Sequence, residues 1–234
     1  MKNQNNMTSN IYNPVLKETR KVAENTYEVT FNFNDKNFDF AAGEYVTITL
    51  FSLGELPTRE QYRDFSILSS PTELPLLAIA IRNSSSHFKK TLLALPIGNP
   101  VILEGPKGIF TLPNTTATPL IFVAGGIGIT PFMSMIRFLT NKKIPYEITL
   151  FYYNRNRDTA AYLTELEEYR SFVRLVLVFG LITEENFSPD RHALLTSLIY
   201  IAGPPGMVKE TRKILSQLQV NEKQIRTEEF TGYE

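Results

Sequence analysis

Leu120-Ile121-Phe122-Val123-Ala124-Gly125-Gly126-Ile127-Gly128-Ile129-Thr130-Pro131 is a continuous apolar run that turns through glycines and enters the apolar segment Phe132-Met133-Ser134-Met135-Ile136. The order reads strand, turn, helix. A run apolar on both faces is what a buried parallel sheet requires. Gly125, Gly126 and Gly128 permit close backbone approach and positive φ, while the start of the helix presents unpaired N–H groups to a pyrophosphate. Pro131 suits the first helical turn, where its missing donor costs nothing. Glycines at this spacing also let a strand and a helix pack closely, so the turn alone leaves both readings open.

Downstream of the turn, apolar runs at Ile148 to Tyr153, Val173 to Phe179 and Leu198 to Ala202 alternate with helical patterns at Ala160 to Tyr169, His192 to Ser197 and Met207 to Leu218. The first helix is expected from Phe132 to Thr140, and a short final strand from Ile225 to Phe230. Alternation of this kind predicts a parallel sheet with crossover helices. Upstream, from Val15 to Phe110, the pattern is different: short β-branched and aromatic runs such as Tyr27 to Phe31, Tyr45 to Phe51 and Leu77 to Ile81 are broken by Gly, Pro and Asn. That spacing predicts an antiparallel barrel or sandwich, interrupted by one helix from His87 to Leu95. The change falls near Thr115, so two domains are expected, 11–115 and 116–234, with 1–10 as a frayed, asparagine-rich tail.

Lysine plus arginine total 24 and aspartate plus glutamate total 24 among 234 residues, so no global field draws nucleic acid or an anionic membrane. The absence of cysteine excludes disulfides, thiolate-bound zinc and an iron–sulfur cluster carried on this chain. Any electron chemistry needs an organic cofactor. No apolar stretch approaches the ~20 residues of a membrane span, and a cytoplasmic location is the expectation. There is no Gly-x-Ser-x-Gly elbow, and the two histidines, His87 and His192, fall in different halves, so neither a hydrolytic triad nor a metal site is expected.

Proline in place of the third dinucleotide-fold glycine, after a Gly-Gly start, resembles the pyridine-nucleotide domain of the ferredoxin-NADP reductase family. Arg63-Asp64-Phe65-Ser66-Ile67-Leu68-Ser69 is similar to that family's Arg-x-(Tyr/Phe)-Ser-x-x-Ser flavin segment. In physical terms Arg63 offers a two-pronged phosphate contact, Phe65 an aromatic face, and Ser66 a hydrogen bond to the ring edge or ribityl chain. An ordinary strand with Phe65 in the core and Arg63 solvated is the bland alternative. One strand later, Ile81, Arg82, Ser86, Phe88 and Lys89 stand where the resemblance implies a second flavin-phosphate element, although a serine run replaces the usual Gly-x-x-Ser. Two basic clusters fit the diphosphate of FAD better than the single phosphate of FMN.

Gly203-Pro204-Pro205-Gly206-Met207 resembles the family's Cys-Gly-Pro-Pro-x-Met turn, with Ala202 where cysteine is usual. The resemblance implies that Glu228 and Phe230 of the terminal strand lie close to the flavin, with Tyr233 a second aromatic candidate, and that Ser66, Glu228 and Phe230 act in catalysis. Thr130 either seats the nicotinamide or caps its helix. Arg155 and Arg157 follow the second parallel strand, which carries no acid at its end; arginine there favours the 2′-phosphate of NADPH over the 2′-hydroxyl of NADH, unless both are solvated loop charges. The implied architecture is a six-stranded-type antiparallel β-barrel FAD domain followed by an α/β parallel-sheet NAD(P)-binding domain. The implied activity is electron transfer from NAD(P)H through FAD to a redox protein, such as a ferredoxin, a flavodoxin or an oxygenase component. The alternative is a subunit that holds FAD for relay or redox sensing without a nicotinamide step of its own.

Overall fold

The computed structural model describes residues 10–33, 38–51 and 58–231, so Tyr233 lies outside the described residues. The first half contains β1 (Asn10–Tyr12), β2 (Val15–Ala23), β3 (Thr26–Asn32), β4 (Tyr45–Thr49), helix α1 (Thr58–Gln61), β5 (Tyr62–Ser66), β6 (Leu76–Arg82), helix α2 (His87–Ala94) and β7 (Ile102–Lys107). These strands form two antiparallel sheets, β2-β3-β6 and β1-β7-β4-β5. Bridges between Val15 and Pro100 and between Ile67 and Ile79 join the sheets at both seams. The Leu16 N–H donates to Asn99 O and the Leu68 N–H to Ala78 O, each at 2.8 Å. Strands β2 to β7 therefore close into a six-stranded barrel, which leaves little strand edge unpaired. Val29, Phe31, Ile48, Ile67, Phe88 and Leu92 fill it. Asn10, expected in the tail, instead pairs with Gly105 as the first residue of β1.

The second half contains β8 (Leu120–Gly125), α3 (Ile129–Lys142), β9 (Ile148–Asn154), α4 (Leu163–Glu168), β10 (Val173–Phe179), α5 (Arg191–Thr196), β11 (Leu198–Gly203), α6 (Pro205–Gln217) and β12 (Ile225–Glu229). Their order across the sheet is β10-β9-β8-β11-β12, and every pairing is parallel. Alternate residues face opposite sides, so Phe122, Tyr152 and Tyr200 enter one core layer while Ile121, Phe151 and Ile199 enter another. The order reverses between β8 and β11, which opens a crevice at their carboxyl ends. The first layer also holds Leu68, Ala78 and Ala80 from the barrel, so one core cluster spans both halves. Among the described residues no helix is long and apolar enough to cross a membrane.

Several helix boundaries depart from expectation: α3 starts at Ile129 rather than Phe132 and α6 at Pro205 rather than Met207, and two further shifts have a local cause. α4 begins at Leu163 rather than Ala160 because Asn156 accepts from the Thr159 N–H and closes a short 3-10 turn over Arg157–Thr159. α3 continues past Thr140 to Lys142 and stops when Lys143 takes φ 55°, a left-handed ending made without glycine.

Candidate functional site

A cleft of about 430 Å³ opens between the barrel and the parallel sheet. Its barrel wall carries Arg63, Asp64, Phe65 and Ser66 from β5, Ile81 and Arg82 from the end of β6, and Lys89 from α2. The opposite wall carries Thr130 from the first turn of α3, and Glu228 and Phe230 from the last strand and its end. Ten of the residues singled out in the sequence thus meet in one place. Tyr45, Tyr62, Ala80, Ile127, Glu229 and Thr231 complete the lining and were not singled out. Tyr45 owes its place to pairing with Ser66 across β4 and β5, and cross-strand register is not written in either strand alone.

Positive charge collects at one end. Burial holds the Lys89 ammonium below its ordinary pKa, and the neighbouring Arg63 and Arg82 guanidinium groups lower it further. Cations brought together at a cost to one of them make a local anion site. Ser86 precedes α2, makes no side-chain cap, and leaves its buried Oγ without a partner. Phe88 is not part of the lining: it is 1% exposed in the barrel core, with the Phe65 ring stacked against it at a centroid distance of 6.0 Å. Its sequence position beside the cations misled, because helical periodicity turns it inward while Lys89 turns out. Asp64 is held from the neighbouring strand, accepting from Thr47 Oγ1 at 2.5 Å, and Thr47 in turn accepts from Lys107 Nζ at 2.9 Å.

At the other end Ser66 Oγ donates to Glu228 Oε1 at 3.3 Å, a contact between residues 162 positions apart. Glu228 Oε2 is buried without a partner. Burial pushes the Glu228 carboxyl up to about 7, and the Ser66 hydrogen bond only partly offsets this. The Phe230 N–H donates to Gly203 O at 2.9 Å, which fixes the chain beyond β12 against β11.

The glycine turn lies at the carboxyl end of β8. Gly126 takes φ +54°, and a Cβ there would lie 3.2 Å from Arg82 NH2. A Cβ on Gly128 would lie 2.2 Å from the Ala202 carbonyl oxygen, and one on Gly125 2.6 Å from Met207 Sδ. Close packing therefore accounts for Gly125 and Gly128. Thr130 Oγ1 donates to Ile127 O at 2.7 Å, so its hydroxyl is engaged at the helix start. Gly125, Gly126, Gly128 and Pro131 do not line the cleft; they sit with Gly203, Pro204, Pro205 and Met207 along the carboxyl edge of the sheet. Ala202 is fully buried between Ala124 and Glu228 in register. Arg155 and Arg157 are exposed beyond β9, and Arg157 pairs with Glu167 at 3.6 Å.

The cleft offers an anion end, aromatic faces and a hydroxyl–carboxyl pair, and the buried Glu228 Oε2 in its wall has no partner within the protein; Ser86 does not line it. The residues present fit a flavin nucleotide.

Residues 122–178 match the oxidoreductase NAD-binding domain. The chain is 24% identical over 215 residues to the propane 2-monooxygenase reductase component of Mycolicibacterium goodii, covering 83% of this chain and 60% of that protein. It superposes on a cytochrome P450 reductase from Amycolatopsis with a TM-score of 0.84 at 21% identity, covering 97% of this chain and 71% of that one. It superposes on ferredoxin-NADP+ reductase from Plasmodium falciparum with a TM-score of 0.79 at 22% identity, covering 94% and 97%. The chain spans about 60% of the length of the first curated relatives it matches. In fold this chain is ferredoxin-NADP reductase-like, and its second half carries the oxidoreductase NAD-binding match.

Proposed function

We propose that this chain binds FAD in the cleft and passes electrons from NAD(P)H to a redox protein. The observation that carries the reading is the convergence of the Arg63–Ser66 segment, the Arg82 and Lys89 cations, Thr130 and Glu228 on one cleft. When bound, the flavin supplies hydride acceptance and release of single electrons. Arg63, Arg82 and Lys89 hold the diphosphate. Phe65, backed by Phe88, presents a ring face. Thr130 and Ile127 at the start of α3 form the side from which a nicotinamide arrives, over the carboxyl ends of β8 and β11. Phe230 lies on that same side and has to leave room for it. Glu228, titrating near neutrality, holds or releases a proton at Oε2, and Ser66 orients it through Oε1.

Arg155, exposed beyond a strand that carries no acid at its end, supports NADPH over NADH; Arg157 is already engaged with Glu167. The protein acceptor belongs to the class that the relatives' names indicate, an oxygenase component or a small redox protein. A cytoplasmic location accompanies this reading.

The test is cofactor extraction from the purified chain followed by reduction with NADH and with NADPH. The expected result is bound FAD whose yellow absorbance bleaches with nucleotide, faster with NADPH. Arg63→Ala is expected to lose the flavin, and FMN or retained flavin in that variant counts against the diphosphate role. The second reading, a flavin-holding relay subunit, is favoured by Ala202 and predicts bound FAD that neither nucleotide bleaches.

A further inference from the structure

Thr130, Ser134, Arg137 and Asn141 fall at spacings of four, three and four, so they share one face of α3. Each of the last three reaches the barrel segment that follows Ser66. Ser134 Oγ donates to Ser69 O at 2.7 Å, Arg137 NH1 to Leu68 O at 3.4 Å, and Asn141 Nδ2 to Thr72 Oγ1 at 2.9 Å. Arg137 is the centre of this seam. It is 8% exposed, grips Glu165 with two hydrogen bonds of 2.6 and 2.8 Å, and lies 3.8 Å from Glu73 of the barrel. Its guanidinium also covers the Tyr162 ring at 5.7 Å.

Leu68 is two residues beyond Ser66, and Arg137 is two helical turns beyond Thr130, a rise of about 10 Å. The two walls of the cleft are therefore joined behind it by one helix face and one short loop. We propose that Arg137 is a positioning residue that fixes the separation of the Ser66 and Thr130 walls by tying α3 to the Leu68–Glu73 segment while Glu165 holds its guanidinium in place. Its consequence for electron transfer rests on the flavin and nicotinamide reading above; the tie itself does not. A displacement of about 1 Å between reacting groups costs ~100-fold in rate, so a loosened seam registers in turnover before it registers in binding.

The chain has no cysteine, so Lys17→Cys in β2 and Lys209→Cys in α6, both exposed, accept spin labels without competition. The distance distribution between them is measured by double electron–electron resonance in the otherwise native chain, in Arg137→Met and in Arg137→Lys. FAD content, thermal unfolding and nucleotide-driven bleaching are followed on the same samples. Arg137→Met is expected to stay folded, keep its FAD, widen the distribution, and slow bleaching by about tenfold or more with the half-saturating nucleotide concentration changed less than about threefold. Arg137→Lys keeps the charge without the two-pronged grip and is expected to fall between the two. If Arg137→Met does not fold, Ser134→Ala, which removes a single contact of the seam, takes its place in the same comparison. A folded variant with the parental width overturns the proposal, as does a widened distribution with a parental bleaching rate. A parent chain that takes up no flavin sinks the functional reading instead, and the width alone then decides the tie.

Discussion

Burial of the Glu228 carboxyl has a consequence for stability as well as for proton handling. Its folded pKa of about 7 lies above the ordinary value of 4.5. Below pH 4.5 the group is protonated in both the folded and the unfolded chain and contributes nothing. Between about 4.5 and 7 the unfolded chain releases the proton while the fold retains it, so the cofactor-free protein loses stability as pH rises. Glu228→Gln is expected to remove that decline and to exceed the parent at pH 8 by on the order of 2 kcal/mol in urea unfolding. Equal slopes between pH 5 and 8 in the two proteins would exclude Glu228 as the source. The glycines separate in the same way. Gly128→Ala drives a Cβ onto the Ala202 carbonyl, where both partners are backbone, and is expected to cost about 3 kcal/mol and roughly 6–12 °C in Tm. Gly206, in the first turn of α6, meets nothing within 4 Å, so Gly206→Ala is expected to hold or slightly raise Tm. A Gly128→Ala protein as stable as its parent would show that β11 can retreat.

At the scale of elements, α3 ends on Lys143 in the left-handed region, with its N–H donating to Leu139 O and Thr140 O. A side chain in that conformation costs about 1 kcal/mol that glycine does not, so Lys143→Gly is expected to raise Tm by roughly 2–4 °C in a thermal melt. An unchanged or lowered Tm would mean that the Lys143 side chain offsets its backbone strain. The same position shows what the sequence conceals. Parallel strands such as Val173–Phe179 are legible to the residue because a mostly apolar run announces itself, whereas α6 starts at Pro205, two residues ahead of the expected Met207. The end of α3 carries no glycine, and Pro145, two residues beyond Lys143, marks only that the helix must have stopped, while the start of α4 is set by the Asn156 turn, so neither boundary could be read from periodicity. β1, β2 and β7 are also weakly marked: β2 fully buries only Leu16 of its nine residues, and β7 contains Gly105 and Pro106. Phe88 illustrates the opposite error, in which a motif's neighbourhood suggested contact with ligand and the helix face decided for the core.

For the molecule as a whole, the two halves were distinguishable in the sequence because short β-branched and aromatic runs broken by Gly, Pro and Asn give way to apolar runs alternating with helices, whereas the cleft between them was legible only through the order of motifs. No spacing rule brings Ser66 to within a hydrogen bond of Glu228. That contact depends on barrel closure, on the reversal of strand order between β8 and β11, and on α3 packing against the Leu68 loop, all of which are long-range. A ligand in this cleft must therefore touch both halves and stabilise both. At a hundredfold excess over its dissociation constant FAD contributes about 2.7 kcal/mol to the folded state. Amide hydrogen exchange is expected to slow at Tyr62–Ser66 and His87–Ala94 of the barrel and also at Ile225–Glu229, with no comparable change at the remote edge strand Val173–Phe179. Arg63→Ala is expected to abolish the effect in both halves together, because the ligand that links them is gone. Protection confined to the barrel would show that Glu228 and its strand do not form a wall of the flavin site, and the proton-handling role would then have to be abandoned while FAD binding stood.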